Sequence, residues 1–251
     1  MTGLQNSYHA HWYDLLWSQA TDVPQEVTFL REWAIAAGRI VEIGAGTGRI
    51  ALHLAAMEGV HVYAVEPDAG MRSALLTKLA QTPQFFSQLT LLPNTGADFT
   101  LSEPVSLIYG CGVLFHFLTD AEQIALLQNL YHHLCPGGRV VLDSVGLHEN
   151  EQSLPPTIAG EIAIGMTYYL ATMSRDVLAP TLHRWRFVYE IVYQKETIER
   201  VETVTLARVV RRQELLGWLA DVGLELEAEY ADFTGVPVQP DRPSLIVARR
   251  P

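Results

Sequence analysis

"RIVEIGAGTGRIAL", residues 39–52, is an apolar run holding one carboxylate, then three glycines at every second position, then helix-like spacing. The run reads as a short strand, with Gly44, Gly46 and Gly48 as its turn. Ile50, Leu54 and Met57 mark the next helix, which Gly59 stops. Glycines let the backbone pass close to a ligand, and the following helix offers unpaired N–H groups. A dinucleotide-binding turn wants a glycine or alanine three residues after its second glycine. That position is Arg49, which disfavours a pyrophosphate ligand and a nicotinamide oxidoreductase.

Outward from this turn, strands and helices alternate. A helix bearing Val27, Leu30, Ala34 and Ala37 precedes it and ends at Gly38. "VHVYAVEP" is a second strand with Glu66 at its end. A helix over Ala69–Leu79, a strand at "LTLLP" and an apolar strand at "VSLIYGCG" follow. "TDAEQIALLQNLYHHL" is a helix opened by the capping-box spacing of Thr119 and Glu122. "CPGG" turns the chain into the strand "RVVLD". Five strands alternating with helices predict a parallel sheet covered on both faces.

The character then changes. "MTYYLATMS", "HRWRFVYEIVYQ" and "TIERVETVTLARV" have strand composition, and Trp185, Phe187, Tyr189, Ile191 and Tyr193 alternate on one face. Residues 185–208 read as an antiparallel hairpin turning at Lys195 and Glu196. A helix at Gln213–Val222 and strands at "LELEAEY" and "PSLIVAR" close the chain.

The 251 residues carry a formal net charge of -11, and no Lys/Arg run offsets it, which argues against nucleic acid. Two cysteines, Cys111 and Cys135, exclude a disulfide framework and a multi-cysteine zinc site; no compact metal-ligand set is seen. The N-terminus lacks the pattern of a signal peptide, and no apolar run reaches a membrane span. A cytoplasmic location is the default expectation.

Three further residues bear on the ligand. Glu66 ends the second strand, where a carboxylate can accept from both ribose hydroxyls. Asp98, in "GADF" (residues 96–99), can accept from an exocyclic adenine amine. Glu42, within the first strand, suits an ammonium group. Ribose, adenine and an amino-acid ammonium together describe S-adenosylmethionine.

In order and spacing, "VEIGAGTGRIALHLA", "VYAVEPDAGM", "GADF" and "LCPGGRVVLD" resemble a class I S-adenosylmethionine-dependent methyltransferase of small-molecule type, in particular the sugar N-methyltransferases of antibiotic pathways. The resemblance covers about residues 40–145 and the last two strands. It implies a Rossmann-like α/β fold: a seven-stranded, mostly parallel sheet with an antiparallel last strand and helices on both faces. It divides the chain into an N-terminal helical segment covering the cofactor (1–38), a core (39–146 and 212–251) and a strand-rich insert (147–211) that serves as a lid or a homodimer element.

The resemblance implies Glu42, Gly44, Gly46, Gly48, Glu66, Asp98 and Phe99 as cofactor contacts, with Met71 packing on the adenosine. Ala97, Gly110 and Cys111 complete that set by position. Strand four ends in "YGCG", without the Asn/Asp-Pro-Pro-aromatic tetrad of base and glutamine N-methylation, and neither cysteine has the Pro-Cys context of cytosine-C5 enzymes. An acid starting strand four is off register, at Glu103.

The expected acceptor is a small molecule, methylated at O or N. His116 follows strand four, where an imidazole can take a proton near neutral pH; the plainer reading is a residue that caps or packs. Tyr13, in the segment Tyr13-Asp14-Leu15-Leu16 that matches the relatives' cofactor-covering stretch, is the second catalytic candidate. Trp12, Tyr168, Trp185 and Tyr189 are the substrate candidates, and Arg186 is a candidate anion contact. The rival expectation is a non-catalytic S-adenosylmethionine-binding subunit on the same fold.

Overall fold

The computed structural model describes residues 10, 12–15, 24–143, 152–238 and 245–251. His9, His11, Leu16, Asp22, the boundary at 146/147 and the first two residues of "PSLIVAR" lie outside the described residues.

The main sheet has seven strands: β1 (Arg39–Ile43), β2 (His61–Val65), β3 (Leu89–Leu92), β4 (Val105–Gly110), β5 (Leu134–Asp143), β10 (Glu225–Tyr230) and β11 (Leu245–Arg249). Its order is β10-β11-β5-β4-β1-β2-β3. The first five strands are parallel, and β11 runs antiparallel to both β5 and β10. This is the expected doubly wound sheet with its reversed last strand.

Period-two alternation sends consecutive residues to opposite faces. Ile40, Val62, Ala64, Leu107 and Val141 face helices α1 (Gln25–Ala37), α2 (Ala51–Ala55) and α3 (Ala69–Gln81), meeting Leu30, Ala34, Leu54 and Leu75. Val41, Ile43, Val65, Ile108 and Val140 face α4 (Asp120–His133) and α5 (Arg212–Asp221), meeting Leu126, Leu127, Leu130, Leu215 and Trp218. Near-continuous apolar strands are what burial on both faces requires.

The insert is a separate antiparallel sheet of four strands in chain order: β6 (Leu154–Ile164), β7 (Thr167–Ala179), β8 (Leu182–Tyr193) and β9 (Glu196–Arg208). The expected hairpin is β8–β9, turning at Gln194 and Lys195, both at positive φ. The strand β6 is additional to the three read from the sequence. "CPGG" is not a free turn: residues 135–138 bulge from β5, whose register with β4 jumps between Val105–Leu134 and Leu107–Arg139. Arg208 anchors the insert to the core. Its Nη2 pairs with Asp120 Oδ1 at 2.6 Å, and its guanidinium lies 5.2 Å over the Trp218 ring.

Candidate active site

The carboxyl ends of β1, β2 and β4 converge beside the strand order's reversal, where ligands lie in such sheets. The glycine turn leaves β1 there. Gly48, at φ +83°, has no room for a side chain: a Cβ would stand 2.3 Å from Leu75 Cδ1. Gly46, at φ +57°, is uncrowded, an added Cβ meeting no atom nearer than the Gly44 oxygen at 3.9 Å. The two glycines thus differ: Gly48 allows the close seating of α3, whereas the backbone at Gly46 is left uncrowded. Gly44 is also tight, its added Cβ falling 2.5 Å from Val113 Cγ1.

Glu66, just past β2, is held under this turn. Its Oε2 accepts from Gly46 N at 2.8 Å, and its Oε1 accepts from Asp68 N at 2.7 Å. Each oxygen retains a lone pair, so the carboxylate is aimed but not saturated. Burial raises its pKa, and the two backbone N–H groups oppose that shift. Asp68 caps α3, accepting from Met71 N at 2.8 Å, which places Met71 half-buried in that helix's first turn.

Glu42 lies deeper, 3% exposed, paired across the ladder with Tyr109 of β4. Glu42 Oε2 and the Tyr109 hydroxyl are both buried and approach each other, but without a well-aligned hydrogen bond. Burial pushes the Glu42 carboxyl up to about 8. A buried polar atom left unpaired costs about 1–3 kcal/mol. An ammonium brought to this carboxylate would supply the missing partner.

Asp98 is exposed in the loop after β3, where its Oδ1 accepts from Thr95 N and Thr95 Oγ1, both at 2.7 Å. Ala97 beside it is half-buried. Phe99 is a correction. It is fully buried in the second core, with its ring 4.6 Å from that of His133, so it packs under α4 instead of presenting a face to adenine. Gly110 ends β4, buried against Val113, and Cys111 follows it. Burial pushes the Cys111 thiol well up, so it stays protonated and is no nucleophile.

His116 ends a single 3-10 turn, Leu114–His116, directly after β4; it is exposed, with its ring 4.1 Å from that of Phe115. Strand β9 packs against this turn. Tyr13 is half-buried and hydrogen-bonded to the Arg49 guanidinium. Burial raises the Tyr13 pKa and Arg49 only partly offsets it, so Tyr13 is a proton-bearing donor. Arg49 also binds Glu26 of α1 through both terminal nitrogens. Burial works against the Glu26 charge, but the Arg49 hydrogen bond holds its carboxyl below the usual range. A bulky residue is tolerated after Gly48 because it turns outward to α1.

The four substrate candidates do not converge. Trp12 and Tyr189 seal each other, 3% and 0% exposed with ring centroids 5.3 Å apart. Their buried faces are spent on packing. Trp185 shares the Tyr189 face but lies 5.1 Å under the Arg175 guanidinium. Tyr168 is 50% exposed and points to the opposite face of the sheet. Arg186 is paired to Glu202 at 2.6 Å rather than open to an anion.

Asp143 lies near these residues, and the sequence did not single it out. It ends β5, and its Oδ1 accepts from Gly112 N at 2.6 Å, tying β5 to the loop that carries His116. Burial pushes its carboxyl up to about 7, against that hydrogen bond. The signal available was an acid closing an apolar strand at the sheet's ligand-binding end. Among the described residues, no group of three or more His, Cys, Asp or Glu could hold a metal ion. No described helix is long and apolar enough to cross a membrane.

Residues 41–140 match a family model described as a methyltransferase domain. No curated protein matches the sequence. Solved structures extend the likeness of fold to nearly the whole chain. The CcbJ methyltransferase from Streptomyces caelestis is 23% identical, with 96% of each chain covered and a TM-score of 0.75. CalS10, an amino pentose methyltransferase from Micromonospora echinaspora solved with S-adenosylmethionine bound, is 18% identical over 100% of this chain and 98% of its own, at a TM-score of 0.72. The sugar N-methyltransferase KedS8 from a Streptoalloteichus species is 18% identical over 93% of this chain and 90% of its own, also at 0.72. Residues 41–140 thus carry a methyltransferase domain, and nearly the whole chain shares the fold of these S-adenosylmethionine-dependent methyltransferases.

Proposed function

We propose that the protein methylates a nitrogen or oxygen of a small, sugar-like acceptor, with His116 as the base or orienting group and Tyr13 as an orienting donor. The observation that carries this reading is the trio at the strand ends: open Gly46, Glu66 aimed by two backbone N–H groups, and the unpaired oxygen of Glu42. Glu66 would hold the ribose hydroxyls, Asp98 the adenine amine and Glu42 the ammonium. Met71, Ala97, Gly110 and Cys111 would line the same cofactor. When bound, S-adenosylmethionine supplies a methyl group on a sulfonium sulfur.

His116 takes the proton that the acceptor gives up as its new bond to carbon forms and the carbon–sulfur bond breaks. Holding the acceptor in line supplies much of the acceleration. A positioned base typically adds about 10²–10⁴-fold. The strand-rich insert would bound the acceptor, a reading supported by the packing of β9 against the His116 turn. Its exposed apolar tip, with Ile164, Met166 and Tyr168, is the surface on which a second copy would meet. Sedimentation of the purified chain tests that contact, and a monomer at all concentrations rejects it.

The functional test is methyl transfer from labelled S-adenosylmethionine to matched amino and hydroxyl sugars. His116→Ala should lower kcat about 100-fold or more and leave cofactor affinity unchanged. A variant with near wild-type kcat across pH rejects His116 as the base.

A further inference from the structure

Residues 12–15 touch both sheets' territories at once. Trp12 packs on Tyr169 and Tyr189 of the insert, with ring centroids 5.2 and 5.3 Å away. Two residues on, Asp14 meets the glycine turn. Thr47 Oγ1 donates to Asp14 Oδ1 at 2.7 Å. Lys78 Nζ, from α3, reaches Asp14 Oδ2 at 2.7 Å and donates to Thr47 Oγ1 at 3.1 Å. Both carboxylate oxygens are used, as are the hydroxyl proton and one of its lone pairs.

Thr47 lies between Gly46 and Gly48 and is 1% exposed. Its hydroxyl would be a buried donor without a role if Asp14 were absent. Lys78 and Asp14 are 31% and 33% exposed, so their ion pair alone is screened and weak. The geometry depends on the buried hydroxyl that both of them meet.

We propose that Asp14, Thr47 and Lys78 form a clasp that holds the Trp12–Leu15 strap against the cofactor turn and thereby sets the residence time of the cofactor. The proposal rests on the S-adenosylmethionine reading of that turn. The three act as positioning residues, through the turn, and need not touch the ligand. Departure of the ligand requires the clasp to open, and a ligand seated on the turn holds the strap closed more of the time than the empty turn does. The clasp therefore bears on the dissociation rate more than on the association rate.

The test is stopped-flow displacement of S-adenosylhomocysteine from the full chain, with apo thermal midpoints measured alongside. Thr47→Val and Asp14→Asn should each speed dissociation about tenfold with association little changed. Thr47→Ser, which keeps the hydroxyl, should restore the wild-type rate. The double variant Asp14→Asn/Thr47→Val should be no faster than either single, because the two groups share one contact. Should either variant fail to fold, Lys78→Met opens the clasp from its partly exposed side and should speed dissociation likewise. Dissociation within twofold of wild type in the singles, or additive effects in the double, overturns the clasp. A wild-type chain that binds no S-adenosylhomocysteine overturns the cofactor reading together with it.

Discussion

Glu42 shows how a site can work against the fold that carries it. Its carboxyl rises from an ordinary 4.5 to about 8 through burial. Asp143 rises from 3.8 to about 7 for the same first reason. For an acid raised in the folded state, that state binds the extra proton between the two values. Stability is then fully present below the unfolded value and is lost as pH rises to the folded one. The apo protein should lose stability between about pH 4 and 8, and Glu42→Gln and Asp143→Asn should each flatten that slope. Thermal denaturation from pH 5 to 8 reads it; a flat wild-type curve contradicts the account. Glu42→Gln should also stabilise the apo chain at pH 8 while weakening S-adenosylmethionine binding.

The glycines separate in the same way. Gly48→Ala should lower the thermal midpoint, because its Cβ meets Leu75 at 2.3 Å. Gly46→Ala should mainly weaken cofactor binding, with strain from its positive φ of roughly 1–2 kcal/mol. Comparing apo stability with calorimetric affinity separates the two. Glu42, Glu66 and the glycine turn were legible because motif spacing fixes them against one backbone geometry. Asp143 was not, since its role depends on a contact with Gly112, 31 residues away in sequence. Phe99 misled because Asp98 beside it is exposed in the loop while its own ring turns into the core.

Elements with local signals could be read, and those set by tertiary pairing could not. The Thr119–Glu122 box is formed as its spacing predicts, with Glu122 N donating to Thr119 Oγ1 at 3.2 Å and Thr119 N donating to Glu122 Oε2 at 2.8 Å. Thr119→Ala should cost about 1 kcal/mol of stability, read by denaturant unfolding. Strand β6 went unseen because Pro155, Pro156 and Gly160 break its pattern. Its place at the sheet edge and its two register shifts tolerate them. Trp12 belongs to a buried aromatic cluster rather than to a substrate wall. Trp12→Ala removes a large side chain from that cluster, where truncations cost about 3–5 kcal/mol when the contact is integral to the fold. Faster proteolytic cleavage near the N-terminus of the variant checks that anchoring.

At the scale of the molecule, the parallel sheet brings Glu42, Glu66 and the glycine turn together at its strand ends, and the insert packs through β9 on the His116 turn. Alternation of strands and helices made the sheet legible, because burial on both faces leaves a strong apolar pattern. The insert's partners were hidden because its alternating aromatic face serves equally for packing, for substrate or for self-association. Only the observed contact with Trp12 decides for packing along that stretch. A ligand that binds the folded chain alone adds about 2.7 kcal/mol of stability at 100 times its Kd. The central claim is that the glycine turn and Glu66 hold S-adenosylmethionine. Titration calorimetry of wild type and Glu66→Ala tests it most directly. The account predicts one site per chain in the wild type and affinity at least tenfold weaker in Glu66→Ala; no binding by the wild type, or equal affinity in the two, would contradict it.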